Sequence, residues 1–309
     1  MVLLLYEQEA RRIEKSFFST GYLEVPNALP DQRFFDHLYG LFEEFIEAIQ
    51  NNLELERQID AIGEEWLHHP DNFFFFSEAP PKFQDRTRRD DKADKLYAQF
   101  YFEFFCFLTE RYGDLLGKFR SLRCFYSSLA CLHYIALGVF LPLIRALDRT
   151  NPGLERRLFP EHRVPPIMIK ILRYNSNTNW GTLPHYDKSG LSLIMNSDDA
   201  NDENFVVGRH GDGILKPSDL KQPVRTSTPS NGRTSGIVIP GMCLQEAGFR
   251  RLKPTPHAVL PVTKSTNRHA VVAFWLVPEI NPAGLITNVE FEGDTSNGGP
   301  SSQKSVFRL

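Results

Sequence analysis

The feature that most constrains this chain is a change in apolar periodicity near Pro165. Before it, apolar residues recur at helical spacing. Phe34, Leu38, Leu41, Phe42, Phe45 and Ile49 mark one face, with Glu43, Glu44 and Glu47 between them. This spacing predicts a helix, and Asp31, after Pro30, is placed to cap it. Similar patterns predict helices over residues 95–119, with Phe100, Phe104, Phe107 and Leu108 on the apolar face, and over residues 122–147. Gly21-Tyr-Leu-Glu-Val-Pro26 reads as a short strand ahead of the first of these. After Pro165 the apolar runs shorten and are separated by Gly, Pro, Asn and Asp. They fall at residues 167–174, 191–195, 205–207, 236–239, 258–262 and 270–277. Short strands with turn punctuation predict an antiparallel sandwich or jelly roll.

The expected class is therefore α+β. Residues 1–165 form a mainly helical region packed on a jelly-roll core at 166–291, and residues 292–309 form a Gly/Ser-rich tail, all in one compact unit. Residues 196–204 and 217–233 read as loops. The segment 70–89, with Phe73 to Phe76 and Pro80-Pro81, reads as a packed connector, with a lid as the alternative.

Composition narrows the function classes. The 309 residues are 41% hydrophobic and 24% charged with a net charge of −3, an ordinary globular balance. No dense Lys/Arg stripe suggests a nucleic-acid groove or an anionic membrane surface. Arg86, Arg88 and Arg89 are interleaved with Asp85, Asp90 and Asp91, so they read as a self-neutralising solvated segment. The four cysteines, at 106, 124, 131 and 243, form no C-x-x-C pair and are expected to be buried, reduced thiols in a cytoplasmic protein. The apolar run at residues 1–6 is too short for a signal peptide. The stretch 129–144 is too short for a membrane span and contains His133 and Pro142, so a buried helix is expected.

The segment that carries chemistry is Leu183-Pro-His185-Tyr-Asp187-Lys-Ser-Gly-Leu-Ser-Leu-Ile-Met195. On a strand, residues two apart project from one face, so His185 and Asp187 would place an imidazole beside a carboxylate. A third ligand from a distant strand would complete a facial triad suited to iron(II), with one side left open. Thr255-Pro-His257-Ala-Val259 offers that ligand. Eleven residues on, Arg268 heads an apolar strand and could hold a carboxylate in bidentate fashion. A second H-x-D, His210-Gly-Asp212, lies in a glycine-rich turn and is set aside as a metal site. His269 alternates away from Arg268 and is expected to be structural. Arg250 and Arg251 are fallback anchors. His68 and His69 read as surface or packing residues. Trp180, Thr182, Tyr186, Phe274 and Trp275 either border a pocket or fill the core.

His185-Tyr-Asp187, Thr255-Pro-His257 and Arg268 together resemble the signature of the iron(II)/2-oxoglutarate-dependent dioxygenases, in the branch similar to isopenicillin N synthase. Leu172-Arg-Tyr174 resembles the strand that precedes the metal motif in that family. The run from Val238-Ile-Pro-Gly241 to His257 resembles its stretch from a glycine turn to the distal histidine. The resemblance spans residues 167–278, with a weaker echo over 9–50. It implies a double-stranded β-helix with His185, Asp187 and His257 as iron ligands. It also implies 2-oxoglutarate as co-substrate on Arg268 and Tyr174, dioxygen as oxidant, and hydroxylation of a small molecule with release of succinate and CO2. Halogenation is disfavoured, because Asp187 fills the position a halide would need.

The chain departs from the family pattern where Ala270 replaces the usual Ser or Thr two residues after the arginine, where Asn175 follows Tyr174 in place of proline, and in the 70 residues between Asp187 and His257. Two alternatives accompany the main reading. One is an oxidase with the same triad and no 2-oxoglutarate, and the other is a non-catalytic jelly-roll binding protein. Neither the substrate nor the oligomeric state is encoded in a readable motif.

Overall fold

A computed structural model describes residues 2–69, 84–85, 95–159, 164–174, 182–197, 204–209, 215–223, 233–260, 267–277, 280 and 285. The aromatic connector around Phe73 to Phe76 and Pro80-Pro81, the cluster Arg86 to Asp91 apart from the assigned strand, Asn175, Trp180, His210 to Gly213 and the tail at 292–309 lie outside the described residues.

The chain opens with α1 (Val2–Thr20), β1 (Leu23–Asp31), α2 (Gln32–Asn51) and α3 (Leu53–Leu67). Helix α2 is the one predicted from sequence. Asp31 caps it, its carboxylate accepting the Phe34 N–H at 3.1 Å, and Phe35, Leu38, Phe42, Phe45 and Ile49 are buried. Helix α3 was not foreseen, although its signals are present. Asn52 accepts the Leu55 N–H, and Leu55, Ile59, Ile62 and Trp66 recur at helical spacing on its buried face.

After β2 (Gln84–Asp85) comes a correction. Residues 95–101 form a strand, β3 (Lys95–Tyr101), and the helix begins only at α4 (Phe102–Arg111), followed by α5 (Gly113–Lys118). Phe100 and Phe104 are four apart and look helical together. In the fold, one ends a strand, the other opens a helix, and both enter one core. The alternation within β3 decides it: Leu96, Ala98 and Phe100 face the helices, while Tyr97 turns to the other side of the sheet.

Helix α6 (Arg120–Asp148) contains the predicted 122–147 helix and is followed by α7 (Leu154–Leu158). By length and composition α6 could cross a membrane, and half of its most apolar window is buried within the fold. Phe125, Leu132, Ala136, Phe140 and Ile144 are fully buried, and Phe125 stacks on Phe42 and Phe45 of α2.

The remaining elements are β4 (Ile167–Tyr174), β5 (Thr182–His185), β6 (Leu191–Ser197), β7 (Phe205–Val207), β8 (Arg233–Pro240), α8 (Met242–Glu246), β9 (His257–Val259) and β10 (Arg268–Trp275). The strands form two antiparallel sheets. One has seven strands in the order β1-β8-β6-β10-β4-β3-β2, and the other has three in the order β5-β9-β7. The outer face of the large sheet carries Ile169, Ile171, Leu193, Val238, Val271 and Trp275 into the helical core. Its inner face carries Tyr97, Leu172, Tyr174, Ile194, Ile237, Ile239 and Ala270, which pack with Phe205, Val207 and Val259 of the small sheet. The site develops between the sheets.

The cysteines also need correction. All four are free, but only Cys243 is buried; Cys106 and Cys131 are exposed and Cys124 is half-buried. The near-continuous apolar composition of α4 and α6 hides which residues face outward, and the helical turn places Cys106 and Cys131 away from the core while Cys124 packs at its edge.

Buried His133, on α6, stacks on Phe102 at 5.0 Å, and its Nδ1 has no hydrogen-bond partner among the described residues. Burial pushes this imidazole down to about 4. The unfolded chain therefore takes up a proton near pH 6.5 that the folded chain refuses until about pH 4. Stability should fall across that window as the pH drops, by up to about 3 kcal/mol. Denaturant titrations of native protein and His133→Leu at pH 7 and pH 5 should show a smaller acid loss in the variant. Equal losses would exclude His133 as the source.

Candidate metal centre

Strand β5 ends at His185, which pairs in register with His257 at the start of β9. Strand β7 flanks β9 on the other side, placing Val207 opposite His257. The pairing puts the two imidazoles side by side with ring centroids 4.3 Å apart. Asp187 lies two residues beyond the strand end, so the expectation of one continuous strand face is replaced by a strand end and a turn. The turn still brings the carboxylate inward. Asp187 Oδ1 is 3.7 Å from His185 Nε2 and 3.5 Å from His257 Nε2. One ligand atom from each residue falls within 4.8 Å of the other two, and this is the His/Asp/His cluster among the described residues that could hold a metal ion.

The donor set suits a metal for electrostatic reasons. The 3.5 and 3.7 Å separations are long for hydrogen bonds. They are somewhat wider than the roughly 3 Å expected between adjacent ligands at bond lengths of about 2.1 Å. The His257 Nδ1 lies 3.1 Å from the Thr255 carbonyl, which can only accept. Nδ1 is thus assigned the proton, and the Nε2 lone pair points toward Asp187. Burial pushes the Asp187 carboxyl up, but His257 and His185 outweigh it and hold it well below the usual carboxylate range. The corner requires positive charge. A divalent ion bound to the three donors would supply it.

The Asp187 turn is held through its backbone. The Met242 N–H donates to the Asp187 carbonyl at 2.8 Å, the Cys243 N–H to Ser189 at 3.0 Å and the Gly241 N–H to Gly190 at 2.8 Å. The Cys243 thiol donates to the Lys188 carbonyl at 3.1 Å, and burial pushes that thiol up to about 12, so it stays protonated. Gly241 permits the approach, since a Cβ there would lie 2.2 Å from the Ser189 carbonyl oxygen. The same segment leads to the second histidine, with the Thr255 N–H donating to Pro240 at 3.0 Å. Sequence reading noted Gly241 only as part of a motif. Its clamping role depends on contacts between segments some 55 positions apart, which no local pattern displays.

Arg268 begins β10 in register with Tyr174 of β4, is 5% exposed, and holds its guanidinium over the Tyr174 ring at 5.1 Å. Both residues lie on the inner face. His269 points outward as expected, with Nε2 2.6 Å from Glu43 and the ring stacked on Tyr39 at 5.1 Å. Arg250 and Arg251 are exposed surface residues. Trp275 belongs to the helical core, donating to the Leu158 carbonyl at 2.7 Å. His69 packs on Trp66 and Phe107. Phe205, missed in the sequence, places its ring 5.9 Å from that of His257.

No family model and no curated protein matches this sequence. Solved structures do. A protein from Shewanella oneidensis described as an oxygenase matches with a TM-score of 0.54 at 16% identity, over 87% of this chain and 86% of that one. A full-length Neurospora crassa protein, solved in complex with alpha-KG and 5-formyluracil, matches with a TM-score of 0.54 at 12% identity, over 88% and 79%. A protein of Caulobacter crescentus described within the 2OG-Fe(II) oxygenase family matches with a TM-score of 0.52 at 13% identity, over 92% and 91%. The chain has the fold of the 2OG-Fe(II) oxygenases. The sequence points to that fold through a handful of residues, and the structural likeness extends over most of the chain.

Gly241→Ala should force the Asp187 turn away from β8. We expect a loss of about 1–3 kcal/mol in stability, in the range of other overpacking changes, together with weaker binding of cobalt(II) as a spectroscopic stand-in for iron(II). Unchanged cobalt(II) affinity in a folded variant would show that the clamp does not set the ligand geometry.

Proposed function

We propose that this protein is a non-haem iron(II) and 2-oxoglutarate-dependent dioxygenase that hydroxylates a small molecule. The observation that carries the proposal is the convergence of His185, Asp187 and His257 in a 2OG-oxygenase fold whose inner face also holds Arg268. We read the two facing sheets as a distorted double-stranded β-helix, with the metal ligands at one end of the small sheet. The alpha-KG, thymine and 5-formyluracil complexes of the Neurospora crassa protein support a small-molecule substrate here by analogy.

The residues would divide the work as follows. His185, Asp187 and His257 would hold iron(II). Arg268 pairs with the far carboxylate of 2-oxoglutarate, and the Tyr174 ring supports the guanidinium. The apolar wall of Ile194, Ile237, Ile239, Phe205, Val207 and Val259 keeps water from the reacting groups. The chemistry such an ion would supply when bound is the oxidation of the substrate by dioxygen, coupled to the decarboxylation of 2-oxoglutarate to succinate and CO2. The backbone clamp on the Asp187 turn keeps the carboxylate oriented through this chemistry.

Ala270 supports a second reading. It is buried on the inner face two residues from Arg268 and offers a methyl group and no hydroxyl to a carboxylate. This suits an oxidase that uses the same triad without 2-oxoglutarate. Succinate formation separates the two, because the oxidase makes none.

Anaerobic titration with iron(II) and then 2-oxoglutarate should raise a weak visible charge-transfer band. His185→Ala and Asp187→Ala should abolish it. Arg268→Met should weaken 2-oxoglutarate binding by about 2 kcal/mol, the size of a lost charge-assisted contact. Iron binding without a band would favour the oxidase, and no iron binding would leave only a binding protein.

A further inference from the structure

Arg268 sits at the last rung of a ladder. Strands β4 and β10 pair from Trp275 opposite Ile167 to Arg268 opposite Tyr174, and among the described residues the pairing goes no further. On its other flank β10 joins β6 only from Ala270 onward. Among the described residues, Arg268 and His269 thus have ladder partners on β4 alone. Chain segments at the end of a ladder open more easily than those within it. A bidentate grip on a carboxylate is weakened by a displacement of about 1 Å. The anchor therefore stands where the sheet by itself holds it least.

The neighbouring rung is fastened from outside. It pairs His269 with Arg173, and Glu43 of α2 meets both side chains. His269 Nε2 lies 2.6 Å from one carboxylate oxygen, and Arg173 Nη1 donates to the other at 2.8 Å. One carboxylate thus links two adjacent strands. Arg173 depends on it, because its Nε is buried without a partner among the described residues and its one hydrogen bond among them goes to Glu43. The helix is itself seated on the sheet. Gln32, Tyr39 and Glu43 fall on one stripe of α2. Tyr39 stacks on His269 at 5.1 Å and donates to Asn196 of β6 at 3.0 Å, and Asn196 donates to Gln32 at 3.0 Å.

Elsewhere the outward faces of these two strands are apolar, with Val271, Ala273 and Trp275 on β10 and Ile169 and Ile171 on β4. Apolar packing is non-directional, whereas a carboxylate bonded to two partners fixes where both must lie. The directional contact falls on the rung beside the anchor. We propose that Glu43 is a positioning residue for 2-oxoglutarate. It lies on the far side of the sheet from the inner face. By holding the His269–Arg173 rung, it sets through the shared backbone where the Arg268 guanidinium and the Tyr174 ring beneath it begin. This rests on the oxygenase reading above.

The test uses the full chain, anaerobic and loaded with iron(II), as native protein, Glu43→Gln, Arg268→Met and the double variant, with folding checked by circular dichroism. Charge-transfer titrations give the affinity for 2-oxoglutarate and for pyruvate, a 2-oxo acid without the distal carboxylate. Cobalt(II) titration reports on the metal ligands. Glu43→Gln should bind 2-oxoglutarate roughly fivefold more weakly, with pyruvate and cobalt(II) affinities unchanged, and should cost nothing further in the Arg268→Met background. A merely structural residue would weaken both 2-oxo acids alike and add its loss to that of Arg268→Met. Either of those results overturns the proposal, as does native affinity for 2-oxoglutarate in folded Glu43→Gln. If Glu43→Gln does not fold, Glu43→Asp, which keeps the charge and shortens the reach, takes its place. If neither folds, Glu43 is a folding residue and the proposal fails. Native protein that binds iron(II) but forms no band with 2-oxoglutarate defeats the oxygenase reading and this proposal with it. A normal native band that the Glu43 variant reproduces at equal affinity defeats this proposal alone.

Discussion

A buried carboxylate with two imidazole nitrogens turned toward it is unstable unless positive charge lies among them. Asp187, His185 and His257 meet in that arrangement, and much of the surrounding structure keeps it from relaxing. The in-register pairing of β5 with β9 fixes the imidazoles relative to each other, and the Thr255 carbonyl fixes one ring. The clamp from Gly241 to Cys243 prevents the Asp187 turn from retreating toward solvent. A chain selected only for stability would gain by replacing this corner with apolar residues. Its retention within a closed hydrogen-bond pattern is the physical argument for a cation in the working protein.

The N-terminal half supports the same corner from a distance. Strand β1 adds an edge to the large sheet through β8, and the turn before it touches Gly208 and Thr255, which flank strands β7 and β9 of the small sheet. Gly21 has a positive φ of 83°, and a Cβ there would meet the Gly208 carbonyl at 2.8 Å. The Thr255 hydroxyl donates to the Gly21 carbonyl, two residues before His257. The glycine is therefore required twice, by its backbone conformation and by close approach. Helices and sheets are not separable layers here, since β1 and β3 come from the N-terminal half and complete the large sheet.

What could be read from sequence follows the range of the interactions. Strands β4, β6, β8 and β10 show themselves as short apolar runs, because both faces of each are covered, and helices α2 and α6 through helical periodicity, because one face of each meets the helical core. Strand β3 and helix α4 did not, since their junction at residues 101–102 lies inside a run of aromatics that suits either state. His185, Asp187, His257 and Arg268 were legible because coordination chemistry demands particular residue types at a strand end. Gly241, Phe205 and Glu43 were not. A clamping glycine, a ring beside a ligand and a glutamate that links two strands acquire meaning only through register, and register is set by pairings between residues tens or hundreds of positions apart.

Strand β10 joins the two parts of the protein. Its inward residue Arg268 faces the space between the sheets, and its outward neighbour His269 meets Glu43 and Tyr39 of α2. Glu43 also pairs with Arg173 at 2.8 Å on the adjacent strand, and Tyr39 donates to Asn196 of β6 at 3.0 Å. Burial pushes the Glu43 carboxyl up, but its hydrogen bond to His269 and its pairing with Arg173 leave it below the usual range. Helix α2 is therefore tied to three consecutive strands, directly behind Arg268 and Tyr174. Because alternate residues of a strand share one backbone, fixing His269 and Arg173 from outside also fixes where Arg268 and Tyr174 start on the inside. The guanidinium is positioned as much by a helix it never touches as by the tyrosine beneath it.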